Sequence, residues 1–169
     1  MNYQWTGAIC VVLACGGFGF SAGAALRRES RFLRQLLKLL DLAEAELSYR
    51  LTPLPELCRL LSDEAGEPLR RVFSSLSREL ESRLLPDVPS CMAAVLLKEP
   101  LPVAQRRLLT ALGRSLGCYD LPGQLKQLAA LREECLLQLQ QLEENREQRI
   151  RSYQTLGLCA GAALVILFI

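Results

Sequence analysis

The chain contains no histidine. That absence removes the usual general base, and with it the Ser–His and Cys–His forms of activated nucleophile. There is no G-x-x-x-x-G-K-[ST] run to cradle phosphates, and the glycines of Gly16-Gly17-Phe18-Gly19 sit in an uncharged apolar run rather than after a strand. None of the seven cysteines forms a C-x-x-C pair. Zinc would therefore need four scattered thiolates without the usual close spacing. An odd, scattered set is not a disulfide framework either; it reads as small buried hydrophobes in a reducing compartment, which points to the cytosolic side of a membrane. The carboxylate pairs Glu44/Glu46 and Glu143/Glu144 are two apart and adjacent, spacings that do not share a helix face, so they read as solvated charge. The expectation is a protein that is not an enzyme, with no catalytic residue, cofactor, metal or small-molecule substrate. The net charge of +2 is too small to argue for nucleic acid. No stretch alternates apolar and polar residues as a strand would, and no internal repeat stands out.

What is present is divided unevenly. Hydrophobic residues make up 50% of the 169, and mean hydropathy is +0.18, yet 22% of residues are charged. One modest soluble domain does not usually combine these values, so a charged globular middle with apolar ends is expected. Trp5 to Leu26 carries no charge, about the 20 residues that span a bilayer as a helix. Tyr3 and Trp5 stand at its start, and Arg27, Arg28, Arg31 and Arg34 follow it. Ala22-Gly23-Ala24 imitates a signal-peptidase site and Leu13-Ala14-Cys15-Gly16 a lipoprotein site, but Met1 to Gln4 lacks the basic region both require. The asymmetry favours an uncleaved anchor with its N-terminus outside. At the other end Thr155 to Ile169 is uncharged, preceded by Arg146, Arg149 and Arg151 with Tyr153 at the interface. Counted from residue 152, it is near the lower limit for spanning. Three regions follow: an N-terminal transmembrane anchor over 1–26, a cytosolic helical bundle over 27–151, and a C-terminal transmembrane segment over 152–169. The fold class is all-α, a compact helical bundle between two transmembrane helices.

Within the middle, Leu33, Leu36, Leu37, Leu40, Ala43 and Leu47 follow helical spacing. The next helix carries Leu54, Leu57, Cys58, Leu60 and Leu61 and stops at Gly66-Glu67-Pro68. A third runs from Leu69 to Leu85, Pro86 to Pro89 reads as a linker, and Cys91 to Leu97 and Val103 to Leu116 are helical, the last with Gly117 as its C′ residue. Asp120 reads as the N-cap of a long helix with Pro122 in its first turn. Leu125, Leu128, Cys135, Leu139 and Leu142 keep a seven-residue spacing there, interrupted by Arg132. That stripe packs inside the chain's own bundle or pairs with another subunit as a coiled coil.

The bend between the first two helices gathers unusual chemistry. Glu44, Glu46, Tyr49 and Arg50 approach it. Thr52 is expected to cap the second helix, with Pro53 at N1 and Pro55 still in the first turn. Glu44, Glu46, Tyr49, Arg50, Thr52 and Pro53 are the candidate partner-binding residues, since aromatic and arginine side chains are over-represented among interface anchors. Intramolecular caps and surface ion pairs would account for the same residues. Both apolar ends also carry G-x-x-x-G, at Gly19/Gly23 and Gly157/Gly161, spacing that lets membrane helices approach closely and that also arises by chance in Gly/Ala-rich spans.

Leu42-Ala-Glu44-Ala-Glu46-Leu-Ser-Tyr49-Arg-Leu-Thr52-Pro53-Leu54 resembles the Leu-x-Glu-x-Glu-Ile-x-Tyr-x-x-Thr-Pro-Leu element of the stage III sporulation protein AB family of endospore-forming bacteria. Leu116-Gly117-Cys118-Tyr119-Asp120 with Gln124 is similar to a second element, Leu-Gly-x-x-Asp-x-x-x-Gln. Tyr153, Leu156, Gly157 and Gly161 are similar to a third in the apolar tail. The resemblance covers essentially the whole chain, and its joint spacing is specific. It implies a mother-cell membrane protein within a secretion-like channel complex joining mother cell and forespore. Such a protein resembles the cytosolic domain of the type II secretion inner-membrane platform and docks a cytosolic ATPase beside other membrane subunits. The secretion platform has two such domains and three spans, whereas one domain between two anchors is read here. A membrane-anchored helical adaptor or signalling protein unrelated to secretion is the alternative.

Overall fold

The computed structural model describes residues 27–117 and 120–168, with side chains described as far as Glu144. The chain divides into two units, Arg31–Leu137 and a second formed of Met1–Ser30 with Gln138–Ile169. Every regular element among the described residues is helical, in agreement with the expected all-α class. The N-terminal anchor, with Gly19 and Gly23, lies outside the described residues, as do Cys118 and Tyr119 of the second sequence element. Gly157 and Gly161 lie on a described helical backbone. Among the described residues no helix is long and apolar enough to cross a membrane.

Helix α1, over 27–45, buries Phe32, Leu33, Leu36, Leu39, Leu40 and Ala43 on one face. It closes with a π turn, Glu46–Arg50, after which Leu51 takes a left-handed backbone (φ 51°, ψ 38°). A non-glycine residue there costs roughly 1–2 kcal/mol, because Cβ crowds the following carbonyl. Helix α2 spans Leu54–Glu64 and α3 spans Leu69–Ser82. The two pack as a hairpin around buried Leu57, Cys58, Leu61, Leu69, Val72, Phe73 and Leu76. Ser77 Oγ donates to the Pro55 carbonyl at 3.0 Å and Ser62 Oγ to that of Arg70 at 3.2 Å, so both hydroxyls are satisfied within the core edge.

Helix α3 ends three residues before the expected Leu85, with Arg83 left-handed at its C-cap (φ 51°). Helix α4 then spans Val88–Lys98 and takes in Pro89, which was expected to lie in a linker. Proline in a first turn removes only an N–H that has no helical partner, so it opens the helix instead of excluding it. Helix α5 spans Val103–Ser115, closes through Leu116, and is followed by Gly117 at φ 79°, the expected left-handed C′ glycine. Helix α6, Leu121–Phe168, starts directly after Asp120 with Pro122 in its first turn. In the bundle unit it buries Leu128, Leu131 and Cys135. The interruption at Arg132 is resolved by Leu131, which takes the buried place. Arg132 Nε pairs instead with Asp41 Oδ1 on α1 at 2.7 Å. Both partners are about half exposed, so the pair contributes little beyond orientation.

Candidate functional site at the bend

Glu46 is the centre of the bend. Its side chain is only 11% exposed. One carboxylate oxygen accepts the Thr52 hydroxyl at 2.8 Å, and the other faces Arg50 Nη1 at 3.4 Å, one turn on. The expected cap by Thr52 does not form. Pro53 occupies the N-cap position of α2, no side chain caps that helix, and Pro53 is therefore not at N1. Pro55 does lie in the first turn, as expected. The physical reason is competition. A nearly buried carboxylate attracts a hydroxyl donor more strongly than the neutral N–H groups of a helix start attract its oxygen. The bond ties the last turn of α1 to Thr52, the residue just before the N-cap of α2.

This network sorts the candidate residues. Glu46 and Thr52 are turned into the bend. Glu44 is half-buried. Tyr49 is 88% exposed, and Leu51, absent from the sequence-based candidates, is 67% exposed. Arg50 and Pro53 are exposed as well. Periodicity gave no reason to select Leu51, because an apolar residue at a helix end normally turns inward. The available signal was its place between a π-forming helix end and Thr-Pro, where the chain has no regular face.

The bend is joined to the second sequence element. A Cβ placed on Gly117 would lie 2.6 Å from Val88 Cγ2 and 3.7 Å from Leu54 Cδ2. The start of α2, the start of α4 and the end of α5 therefore meet at one point, and only glycine fits there. Leu54 ends the first element quoted above and Gly117 belongs to the second, so residues distant in sequence form one end of the bundle.

No nucleophile is exposed among the described thiols. Cys58, Cys91 and Cys135 are buried and free. Burial pushes Cys58 and Cys135 up to about 12, far from the thiolate form. Among the described residues no three His, Cys, Asp or Glu side chains converge as a metal site.

Comparison with known proteins places this geometry. A solved structure of stage III sporulation protein AB superimposes with a TM-score of 0.61 over 69% of this chain and 94% of the other, at 23% identity, a likeness of fold. The stage III sporulation protein AB of Bacillus subtilis (strain 168) is 26% identical over 170 residues, covering 95% of this chain and 96% of that protein. The family model of stage III sporulation protein AB matches residues 4–169, and the chain belongs to that family of sporulation proteins.

Proposed function

We propose that this chain is a non-enzymatic membrane platform component of a sporulation secretion-like complex between mother cell and forespore. It holds a cytosolic ATPase in place beside other membrane subunits. Both apolar ends anchor it in the mother-cell membrane with the termini outside, and residues 27–151 stand in the cytosol. The family assignment supports the sporulation role, and the arginines beside each apolar end support the orientation. The observation that carries the docking surface is the union of two sequence elements at one end of the bundle, with Tyr49 and Leu51 held outward there. Leu51 is held out at a backbone cost, and an exposed apolar side chain kept in a strained conformation suits a contact with another protein.

The test is co-purification of the detergent-solubilised chain with its ATPase. Tyr49→Ser and Leu51→Gly are the variants. Glycine accepts φ 51° without strain, so the second change removes only the displayed side chain. Each should weaken capture at least about tenfold, the size expected of an interface anchor, while the helical fold persists. Folded variants that capture the ATPase as well as wild type would refute the docking surface. An engineered surface cysteine within 27–151 that reacts with an impermeant reagent on intact cells would refute the orientation.

A further inference from the structure

Among the described non-glycine residues, Leu51 and Arg83 are the two with a left-handed backbone, each at φ 51°. A residue with a Cβ is strained there, and such strain persists only where its surroundings impose it. Each of the two positions presents a leucine. Leu51 is itself 67% exposed, and Leu84, directly after Arg83, is 81% exposed. The residue that follows a left-handed helix end commonly packs back on the helix it leaves. Leu84 instead stands at the rim of an open cleft of about 330 Å³ between α3 and α4, beside Ser82 and Val95. The turn is held locally: the Ser82 hydroxyl donates to the Glu79 carbonyl at 2.8 Å and accepts from the Leu84 amide at 3.5 Å.

Both leucines lie at one end of the bundle unit. The bond from Ser77 to the Pro55 carbonyl, at 3.0 Å, sets α3 beside the start of α2. From Ser77, α3 runs on only to Ser82, roughly 7–8 Å further along its axis. On the other side of Pro55, Leu51 is at most about 14 Å away along the chain. Val88, where α4 begins, meets Leu54 at Gly117. The α3–α4 turn is thus pinned at both ends next to the start of α2. One partner surface of standard size, roughly 800 Å², covers both loops. The charges around each leucine are of both signs, Arg50 and Glu56 around Leu51, Arg83 and Asp87 around Leu84. Neither loop therefore offers a net charge to a lipid surface or a nucleic acid. Apolar contact is what remains for recognition, and single side chains held at fixed places suit desolvated recesses on a folded protein.

We propose that Leu84 is a second anchor for the partner that docks at the bend. The ATPase receives a leucine from each loop, Leu51 and Leu84, in two separate apolar recesses. The inference rests on the docking proposed above and adds the α3–α4 turn to its surface.

The experiment is surface binding of the detergent-solubilised full chain to the ATPase partner proposed above, with helical content checked by circular dichroism. Leu84→Ser should weaken binding about tenfold. Leu84→Met, which keeps an apolar side chain of similar volume, should bind within about threefold of wild type. Leu84→Ser combined with Leu51→Gly should weaken binding about a hundredfold, since separate anchors add. The helical content should be unchanged throughout, because both positions are exposed. Wild-type binding by Leu84→Ser, with Leu51→Gly weakened, overturns the second anchor and leaves the docking at the bend standing. Wild-type binding by Tyr49→Ser, Leu51→Gly and Leu84→Ser alike overturns the docking and the second anchor with it. A Leu84→Ser chain that keeps ATPase binding but loses self-association in light scattering assigns the leucine to a second copy of the chain, and that too overturns the proposal.

Discussion

Removing either partner of the Glu46–Thr52 bond tests how the bend is held. Thr52→Val deletes a hydroxyl that donates to a carboxylate at 2.8 Å, and Glu46→Gln removes the charge that receives it. A hydrogen bond to a charged group contributes roughly 1.5–3 kcal/mol when enclosed. Glu46 is nearly enclosed and Thr52 half so, which sets the expectation at about 1.5 kcal/mol for Thr52→Val. Glu46→Gln also weakens the contact with Arg50, but that guanidinium is mostly exposed, and its share is under about 1 kcal/mol. The decisive quantity is the coupling. A direct bond predicts that the double variant is less destabilised than the sum of the single ones by about 1 kcal/mol. A Thr52 that capped α2 independently of Glu46 would give additive effects. The bundle unit, residues 31–137, is the sample, with urea unfolding followed by far-ultraviolet circular dichroism. That fragment is expected to fold alone with an almost wholly helical spectrum. Additivity within error would refute the Glu46-centred account of the bend, and substantial strand content would refute the fold of the unit.

Gly117→Ala should destabilise the same fragment by roughly 2–4 kcal/mol, combining a left-handed penalty with a Cβ driven against Val88; an unchanged unfolding midpoint would mean that the α4 start gives way freely. Cys58 and Cys135 should resist alkylation in the native fragment and react only on unfolding, as mass spectrometry would show. Their thiols are raised from 9.0 to about 12 when folded, so the unfolded chain ionises first. The stability they contribute is full below about pH 9 and is lost as pH rises towards 12. A midpoint flat across that window would contradict their burial.

Much of the bundle was legible because burial imposes a period. Leu33, Leu36, Leu40 and Ala43 on α1, and Leu57, Cys58 and Leu61 on α2, follow helical spacing and are buried. Gly117 was legible because a helix end at that point needs a left-handed residue. The misreadings fall where local chemistry has two outcomes. Proline both opens helices and separates them, and Pro89 opens one. Thr52 can accept a bond from an N–H or donate to a carboxylate, and the choice depends on Glu46, six residues earlier, being brought back by a π turn. Periodicity cannot register that turn, because it changes the number of residues per turn. The meeting of Leu54, Val88 and Gly117 was invisible for another reason: it depends on how α2, α4 and α5 pack, and no pattern within one helix encodes that.

The end of the bundle that carries the bend has a charge arrangement with a functional consequence. Arg50, Arg83 and Arg114 stand at the C-terminal ends of α1, α3 and α5. Glu56 lies in the first turn of α2, and Asp87 and Asp120 directly precede α4 and α6. Cations at C-termini and anions at N-termini offset the helix dipoles. The six charges thus have a local electrostatic role, they nearly cancel, and they give a partner little net field to recognise. The exposed apolar side chains Tyr49 and Leu51 have no such local role. On the docking proposed above, they are the side chains that select the partner. Arg50→Glu should accordingly cost less affinity than Leu51→Gly, in surface binding kinetics of the solubilised chain with the ATPase partner proposed above. If Arg50→Glu instead accelerates dissociation more than Leu51→Gly does, a buried ion pair rather than an apolar contact holds the complex.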